Sequence, residues 1–526
     1  MLISANMFTK QMIEIKINNK SYPAEENETI LAVAQRAGIH IPTMCWMKDF
    51  SPSTSCMVCL VQDKRNGKML TSCSIKAENG MDIETDNAEV LDMRKSALDL
   101  LLSEHAGDCE APCQRVCPAE MDIPLMNRLI ASGKMNDALK NVLETIALPS
   151  ILGYICPAPC EKACRRKDID ESVSICLLKR FVGENETVKI PSKTENEIRV
   201  AVIGAGPAGL VAAFYLAKNG FSCTVYDSGD LPGGKMRSDI PEDRLPRKVL
   251  DAEIEIIRSM GVQFIQNTNI DSKAIETQLA GKYQYILLTI GAETSIDLTP
   301  FTATTFSGIR DLEIWKTGDA VILAPRQIPS KSKMAVRAAG LGRKLVEWTM
   351  EFIDKQTVES PERKFNSTYK RIQEIEREEF LKEANNHDQQ EKTASYLTGF
   401  SQEQAIREAQ RCLHCDCREK DNCTLRNLST VYKASQRVYT LDKPLKTGKN
   451  LSHKLIIFEK LKCIKCGICI QTAQKGNDPT GFAFSGRGFD VEIAIPIERD
   501  MQSLSDETLL ACAKNCPTGA IAAMSF

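Results

Sequence analysis

The sequence predicts a multi-domain α/β protein, and three features support this prediction. Its 526 residues suffice for three or four domains of about 100 to 200 residues each. A pattern of strand, glycine-rich turn, helix and strand lies in the middle of the chain, at 198–226. The 21 cysteines lie mainly on either side of it, eleven between Cys45 and Cys176 and nine between Cys412 and Cys516. We therefore expect cysteine-rich domains on both sides of an α/β domain.

The composition limits the classes of partner and site. Lys and Arg number 67 and Asp and Glu 69, so a net charge of -2 gives no electrostatic reason to expect nucleic acid or an anionic membrane as partner. No run approaches the roughly 18 apolar residues of a membrane-spanning helix, and the start lacks the apolar core of a signal peptide. The sequence thus predicts a cytoplasmic protein. Disulfides do not persist in a reducing compartment, so closely spaced cysteines indicate zinc or iron–sulfur centres, with catalytic thiols a weaker alternative.

The N-terminal segment, 1–86, begins with an alternating strand at 12–17, a turn, and a short helix that ends at Gly38. Four cysteines follow, with spacings of ten, two and thirteen residues: Cys45, Cys56, Cys59 and Cys73. This spacing resembles the N-terminal ferredoxin domain of the large iron–sulfur subunit of respiratory complex I and of related formate dehydrogenases and iron hydrogenases. The resemblance implies a β-grasp ferredoxin domain whose four cysteines hold one 2Fe-2S cluster. Zinc is the alternative.

The next segment, 87–197, has helical periodicity and is expected to be α-helical. Its cysteines resemble the helical domain that precedes the flavin in the glutamate synthase small subunit and in dihydropyrimidine dehydrogenase. That domain holds two 4Fe-4S clusters. The resemblance implies one cluster on Cys109, Cys113 and Cys164, and another on Cys117, Cys156, Cys160 and Cys176.

Two positions in this segment depart from the family. The leading cysteine of the first cluster is absent, but His105 lies four residues before Cys109, as the histidine ligand does in the complex I type of motif. The alternative is a surface His105, with water or another residue completing the cluster. The family also carries a glutamine or glutamate ligand where this chain has Lys179.

The central segment, 198–350, carries a fingerprint for binding a dinucleotide. Its glycine-rich turn permits a tight bend, approach of a pyrophosphate and packing of helix on strand, and an acidic residue about 20 residues later can accept from ribose hydroxyls. The residues concerned are Gly204, Gly206, Pro207, Ala208, Gly209 and Asp227. Without a ligand, the same pattern is simply a tight turn between strand and helix.

Further motifs in this segment resemble the FAD domain of the glutamate synthase small-subunit family. They comprise Gly233, Gly234, Lys235, Arg244, Gly291, Gly318 and Asp319. The resemblance implies that FAD is bound rather than NAD, and that Gly318 and Asp319 hold its ribityl chain. The family inserts a second Rossmann domain, for NADPH, after the position of Ala292, but only 26 residues separate Ala292 from Asp319 here. We therefore predict that the NADPH domain is deleted and that the chain does not bind a nicotinamide nucleotide in the family's way.

The last two segments are a charged helical linker, 351–411, and a small ferredoxin-like domain, 412–526. One compact group could hold 4Fe-4S or zinc: Cys412, Cys415, Cys417 and Cys423. A second group resembles complex I subunits, in which the closing ligand precedes a proline, and implies a 4Fe-4S cluster on Cys463, Cys466, Cys469 and Cys516. Cys512 could replace Cys516, and Cys223 is expected to be a core residue.

These features predict an electron-transfer flavin and iron–sulfur subunit of a cytosolic multi-subunit oxidoreductase, with FAD, one 2Fe-2S cluster and about four 4Fe-4S clusters. No catalytic residue is assigned, so substrate chemistry is expected on a partner. That partner would be a molybdenum or tungsten enzyme, a hydrogenase or an NADH-oxidising subunit, and ferredoxin is a further candidate. The alternatives are a self-contained flavin-dependent NAD(P)H or ferredoxin oxidoreductase and a zinc-rich scaffold.

Overall fold

The computed structural model of the protein describes most of the chain. The described residues are 12–188, 196–291, 295–304, 311–325, 334–360, 362–369, 371–372, 374–382, 384–386, 389–390, 398–439, 451–476, 478–496 and 500–524.

The chain forms two compact units, each built from separate parts of the sequence. The first comprises Met1–Glu110, Arg363–Lys370 and Cys415–Phe526, and the second comprises Ala111–Glu362 and Arg371–His414. The five predicted segments do not coincide with these units. The two terminal cysteine-rich segments belong to one unit because they pack on each other, a long-range association that local sequence patterns do not reveal.

The first unit begins with a five-stranded sheet in the order β2-β1-β5-β3-β4, in which β1 and β5 are parallel. The helix α1 begins at Thr29, whose hydroxyl caps Ala32 N–H at 3.2 Å. It packs Ile30 and Leu31 into the core of the sheet. The elements of this part are β1 (Met12–Ile17), β2 (Lys20–Glu25), α1 (Ile30–Arg36), β3 (Leu60–Asp63), β4 (Lys68–Thr71), β5 (Asp82–Glu84) and α2 (Ala88–Glu104).

The second unit begins with short helices, in agreement with the predicted helical segment. They are α3 (Pro112–Arg115), α4 (Ile123–Ala131), α5 (Met135–Leu143), α6 (Pro149–Ile155), α7 (Pro159–Lys162), a 3-10 turn (Arg165–Asp168) and α8 (Ile175–Asn185). Their apolar faces share one core with the following α/β part of the chain.

That α/β part contains a seven-stranded sheet in the order β10-β11-β12-β9-β6-β7-β8. The five strands from β12 to β8 run parallel, and β11 pairs antiparallel with β12. Its elements are β6 (Arg199–Ile203), α9 (Pro207–Lys218), β7 (Ser222–Tyr226), α10 (Lys235–Ser238), α11 (Arg247–Ser259), β8 (Gln263–Ile265), α12 (Ser272–Ala274), β9 (Tyr285–Leu288), β10 (Thr302–Ala303), β11 (Leu312–Thr317), β12 (Ala320–Pro325) and α13 (Ala335–Lys355).

The helices α9 and α13 approach each other closely through a glycine. A Cβ on Gly342 of α13 would lie only 2.1 Å from the main-chain oxygen of Ala208. The helix that carries the predicted nucleotide-binding turn is thereby fixed from one side, and the strand–turn–helix–strand pattern of the sequence is confirmed.

The rest of the chain is divided between the two units. Its elements are α14 (Arg377–Leu381), α15 (Gln402–Ala409), α16 (Thr424–Val431), β13 (Leu451–Ser452), β14 (Ile456–Phe458), α17 (Ile468–Lys475), β15 (Ala483–Ser485), β16 (Glu492–Ala494), α18 (Asp506–Asn515) and β17 (Ile521–Ala523). Within the segment predicted as a charged helical linker, the described residues include a 3-10 turn, Glu374–Glu376, followed by α14. Within the described residues, no helix is both long enough and apolar enough to cross a membrane.

A buried carboxyl group connects α11 to the start of α6. Glu253 is 6% exposed and accepts hydrogen bonds from the N–H groups of Ser150 and Ile151, at 2.6 and 3.1 Å. Burial raises the pKa of Glu253 from 4.5 to about 7, although the two N–H groups oppose the shift.

This shift predicts a pH-dependent stability. Between about pH 4.5 and pH 7 the unfolded chain releases a proton that the folded chain keeps, so rising pH favours unfolding. Each pH unit in this window should lower the free energy of unfolding by up to about 1.4 kcal/mol through this group. Thermal melts of the wild type and Glu253→Gln across the window test this. The variant should lose that part of the slope, and equal slopes would contradict the expectation.

Candidate cofactor sites

The glycine-rich turn between β6 and α9 leaves an open cradle at one glycine only. Gly204 has a φ of 107° and donates its N–H to Tyr226 O at 2.7 Å. A Cβ on Gly209 would lie 1.8 Å from Gly204 O, so that position admits no side chain. A Cβ on Gly206 would have no neighbour within 4 Å among the described residues. The open space therefore lies at the N-terminus of α9, where unpaired N–H groups suit the pyrophosphate of a dinucleotide.

Asp227 shapes the same turn from the end of β7. Its Oδ2 accepts the N–H of Ala205 at 2.5 Å, and its Oδ1 accepts the N–H of Gly229 at 2.8 Å. The carboxylate is half-buried at the predicted position. Its role as an acceptor for ribose hydroxyls stays a prediction.

Gly233 and Gly234 also lie against the turn. Gly233 donates its N–H to Ala205 O at 2.9 Å, and a Cβ on Gly234 would come within 2.9 Å of the Gly206 Cα. Three other predicted binding residues are exposed: Lys235, Arg244 and Gly291.

Gly318 and Asp319 do not reach this site. They form the turn of the hairpin between β11 and β12, in which Thr317 pairs with Ala320. The Gly318-Asp319 turn comes before the start of β12, whereas the glycine-rich turn comes after the end of β6. Both β12 and β6 run parallel to β9 in the same sheet. The two turns therefore lie at opposite edges of the sheet. The ribityl-binding role expected for Gly318 and Asp319 is thus corrected, because a Gly-Asp pair in a hairpin turn has the same sequence as one that follows a strand.

The four N-terminal cysteines come together as two pairs of buried thiols. A hydrogen bond from Cys56 lowers the pKa of Cys45, and one from Cys73 lowers the pKa of Cys59, although burial opposes both shifts. All four are at most 3% exposed, and none forms a disulfide. This donor set fits a 2Fe-2S cluster, which takes two thiolates on each iron.

The C-terminal group of cysteines lies around α17 and the end of α18. Cys463 and Cys466 are each close enough to Cys516 for its charge to raise their pKa, although burial is the larger cause. Burial and the neighbouring cysteines likewise raise the pKa of Cys469. Cys512 is fully buried and donates its S–H to Cys469 O at 3.5 Å.

One helical group of cysteines in the second unit surrounds a buried lysine. Lys179 is 3% exposed, and its Nζ lies 4.0 Å from Cys176 Sγ. Three more thiols are close enough to affect the pKa of Lys179: Cys117, Cys156 and Cys160. The structure thus brings these four predicted ligands together around one positive charge.

The remaining predicted ligands are distributed over both units. Cys109, Cys415, Cys417 and Cys423 belong to the first unit, whereas Cys113, Cys164 and Cys412 belong to the second. Within the second unit, burial and then the nearby Cys412 raise the pKa of Cys164 to about 11. The ligand sets Cys109/Cys113/Cys164 and Cys412/Cys415/Cys417/Cys423 stay predictions.

Within the first unit, Cys109 lies beside Cys417 and Cys423. Burial raises the pKa of Cys423 to about 12, and the Cys417 and Cys109 thiols add to the shift. Sequence reasoning missed this proximity, and it also missed the buried Lys462. Burial raises the pKa of Cys417, and the charge of Lys462 opposes that shift. No signal in the sequence distinguishes Lys462 from a surface lysine.

Two other observations concern the cysteine chemistry. Cys223 is 3% exposed on β7, where burial raises its pKa, as expected of a core residue. In the described part of the chain, no three His, Cys, Asp or Glu side chains are arranged to hold a single metal ion.

Comparison with known proteins connects these sites to three domain families. Residues 10–88 match the 2Fe-2S iron–sulfur cluster binding domain, and residues 102–190 match dihydropyrimidine dehydrogenase domain II, 4Fe-4S cluster. Residues 202–263 match the NAD(P)-binding Rossmann-like domain. The chain combines iron–sulfur domains with a Rossmann-like domain. The mixed α/β class and the two kinds of iron–sulfur domain are thereby confirmed.

Similar full-length proteins are oxidoreductases. The NADPH-Fe(3+) oxidoreductase subunit beta of Geobacter sulfurreducens is 39% identical over 35% of this chain and 29% of its own length. The NADP(+)-dependent formate dehydrogenase subunit beta of Moorella thermoacetica is 34% identical over 35% of this chain and 30% of its own. Glutamate synthase [NADH] of Saccharomyces cerevisiae is 32% identical over 36% of this chain and 9% of its own.

The chain thus spans less than a third of each of these relatives. Their similarity confirms the predicted resemblance to the glutamate synthase small-subunit type.

The lysine among the second unit's thiols yields a testable expectation. If those thiols hold a cluster, Lys179→Met should lower its midpoint potential, because a buried positive charge favours the reduced form. Lys162→Met removes an equal charge from an exposed position on α7 and should have a much smaller effect. Redox titration monitored by electron paramagnetic resonance measures both shifts. Equal shifts in the two variants would contradict a specific effect of Lys179.

Proposed function

We propose that this protein is an electron-transfer flavin and iron–sulfur subunit of a cytoplasmic multi-subunit oxidoreductase, with FAD at the glycine-rich turn and about five clusters. One observation carries the proposal. In the first unit, thiols from three predicted ligand sets share a single buried core: Cys45 and Cys56, Cys423, and Cys466. Clusters held there would lie near one another in a dry environment, as single-electron transfer along a chain of centres requires.

Specific contacts fix two of these sites together. The side chain of Gln471, on α17, accepts the N–H of Ser51 at 2.8 Å and donates to Ser51 O at 2.9 Å. Ser51 lies in the loop between Cys45 and Cys56, and Gln471 follows Cys469 by two residues. The Cys45 thiol is also close enough to add to the upward pKa shift of Cys466.

The glycine-rich turn supports FAD as the second cofactor. The N-terminus of α9 and the open position at Gly206 would hold the pyrophosphate, with Asp227 keeping the turn in shape. FAD would supply the conversion between two-electron and one-electron chemistry. The partner subunits that fit this role are a molybdenum or tungsten enzyme, a hydrogenase or an NADH-oxidising subunit, with ferredoxin as a further candidate.

Anoxic isolation of the protein from its host, with iron, sulfide and flavin analysis, tests this proposal. We expect iron near 18 atoms per chain, the sum for one 2Fe-2S and four 4Fe-4S clusters, together with FAD and a co-purifying catalytic subunit. A colourless preparation without paramagnetic signals after dithionite reduction would refute it.

A second function is favoured by the match of 202–263 to an NAD(P)-binding domain. The single chain would then oxidise NAD(P)H at the flavin without a partner. Bleaching of the isolated chain by NADH or NADPH supports this second function, whereas bleaching only after addition of a partner subunit supports the first.

A further inference from the structure

We propose that His105, Cys109, Cys417 and Cys423 hold one 4Fe-4S cluster, a ligand set drawn from two distant parts of the sequence. The inference rests on the proposed function, since it assumes that the chain carries clusters. It differs from the sets that cysteine spacing suggests, because it pairs Cys109 with two cysteines near the other end of the chain.

The first support is direct contact between the two segments. The N–H of Cys417 donates to Cys109 O at 3.1 Å. Ser367 forms two hydrogen bonds with Cys109. The N–H of Ser367 donates to Cys109 Sγ at 3.3 Å, and the carbonyl of Ser367 accepts the N–H of Cys109 at 3.3 Å. The two cysteines are 7% and 5% exposed, so both thiols lie inside the first unit.

Arg426 holds Cys423 beside them. The Arg426 N–H donates to Cys423 Sγ at 3.4 Å, at the start of α16. The guanidinium of Arg426 pairs with Glu110, the residue after Cys109, and donates to Phe365 O at 2.9 Å. One arginine thus ties the third cysteine to the segment that carries the first.

His105, four residues before Cys109, supplies the fourth ligand. It is 7% exposed, and among the described residues its Nδ1 has no hydrogen-bond partner. Its main chain is fixed on both sides, since His105 O accepts from Gln436 Nε2 at 3.0 Å and Ala106 N–H donates to Leu461 O at 2.9 Å. A buried polar atom without a partner destabilises the folded chain, and a bond to iron would remove that cost.

Lys462 packs between the two segments. A Cβ on Gly107, between His105 and Cys109, would lie 2.8 Å from Lys462 Cε, and Lys462 Nζ donates to Asp416 O at 3.4 Å, next to Cys417. The lysine therefore touches the turn after His105 and the residue before Cys417.

The chemistry of the donors fits a cluster. Thiolates are the usual ligands of iron–sulfur clusters, and an imidazole can replace one of them and raises the potential. The four ligands of a cluster lie farther apart than those of a single ion, because they surround several irons.

Iron counting on variants of the full chain tests the pairing. Cys109→Ala and Cys417→Ala should each lose about four irons per chain, and the double variant should lose the same four. Loss of about eight irons in the double variant would place the two cysteines on different clusters and overturn the proposal. Cys223→Ala, at a core cysteine outside the set, should keep all its iron. A wild-type chain without iron would instead refute the proposed function.

His105→Cys tests the fourth ligand and guards against misfolding of the cysteine variants. It should keep its iron and lower the midpoint potential of one cluster signal, the signal that Cys109→Ala lacks. His105→Ala should broaden or remove that signal and leave the others in place. Unchanged spectra and potentials in both histidine variants would exclude His105 as a ligand.

Discussion

Gly206→Ala is expected to abolish FAD binding while the fold persists. Gly206 has an ordinary φ of -76°, and an added methyl group meets no atom of the described protein within 4 Å. The substitution should therefore cause little strain. The methyl group would, however, occupy the space where a pyrophosphate approaches the N-terminus of α9. Flavin content, circular dichroism and the melting temperature of the purified variant measure the two effects separately.

Two further glycine variants act as controls. Gly209→Ala should destabilise the whole turn, because its Cβ would lie 1.8 Å from Gly204 O and the strand and helix would have to separate. Gly281→Ala introduces the same methyl group into equally open space, in the turn before β9, and should keep both fold and FAD. Normal flavin binding in Gly206→Ala would remove the structural basis for placing FAD at this turn.

The glycine-rich turn was predictable because its signal is local. Gly204, Gly206 and Gly209 lie within six residues, and their spacing already fixes which position must stay open and which must pack. Thr317-Gly318-Asp319 is equally local as a motif, but its meaning depends on which strands pair. A Gly-Asp pair between two apolar runs is also typical of a two-residue hairpin turn, which β11 and β12 form here, so the resemblance gave the motif the wrong role.

Cysteine spacing has the same limit. It groups thiols that are neighbours along the chain, as with Cys463, Cys466 and Cys469, where the structure keeps the group together. It cannot pair Cys109 with Cys417, because that proximity depends on the packing of two terminal segments into one unit. The N–H of Cys417 donates directly to Cys109 O, and Arg426 pairs with Glu110, the residue after Cys109. Neither Glu110 nor Arg426 belongs to a recognisable motif.

A buried ion-pair network around Arg411 is a further element that composition does not reveal. Arg411 is fully buried and donates to Glu408 Oε1 and to Asp170 Oδ1, both at 2.9 Å, and to Glu171 O at 2.7 Å. The main-chain oxygen of Arg411 accepts a hydrogen bond from Nη1 of Arg166 at 3.0 Å. The network connects α15 to the segment between Cys164 and α8, and Arg411 directly precedes Cys412.

Arg411→Ala is therefore expected to destabilise the second unit by about 3 to 5 kcal/mol. Its loss would leave Glu408 as a buried carboxylate without its cation, which is the costly way to break a buried pair. Arg407→Ala, on the exposed face of the same helix, should change stability by less than about 0.5 kcal/mol. Chemical denaturation followed by circular dichroism measures both changes.

The double variant Arg411→Met/Glu408→Met separates charge from packing. If an uncompensated carboxylate causes the loss, the double variant should be more stable than Arg411→Ala, because both buried charges are replaced by apolar groups. Arg411→Lys should recover only part of the stability, since an ammonium group cannot reproduce the fork that contacts Glu408 and Asp170 together. A double variant as unstable as Arg411→Ala would show instead that the packing of the guanidinium, rather than its charge, holds the end of α15 and with it Cys412.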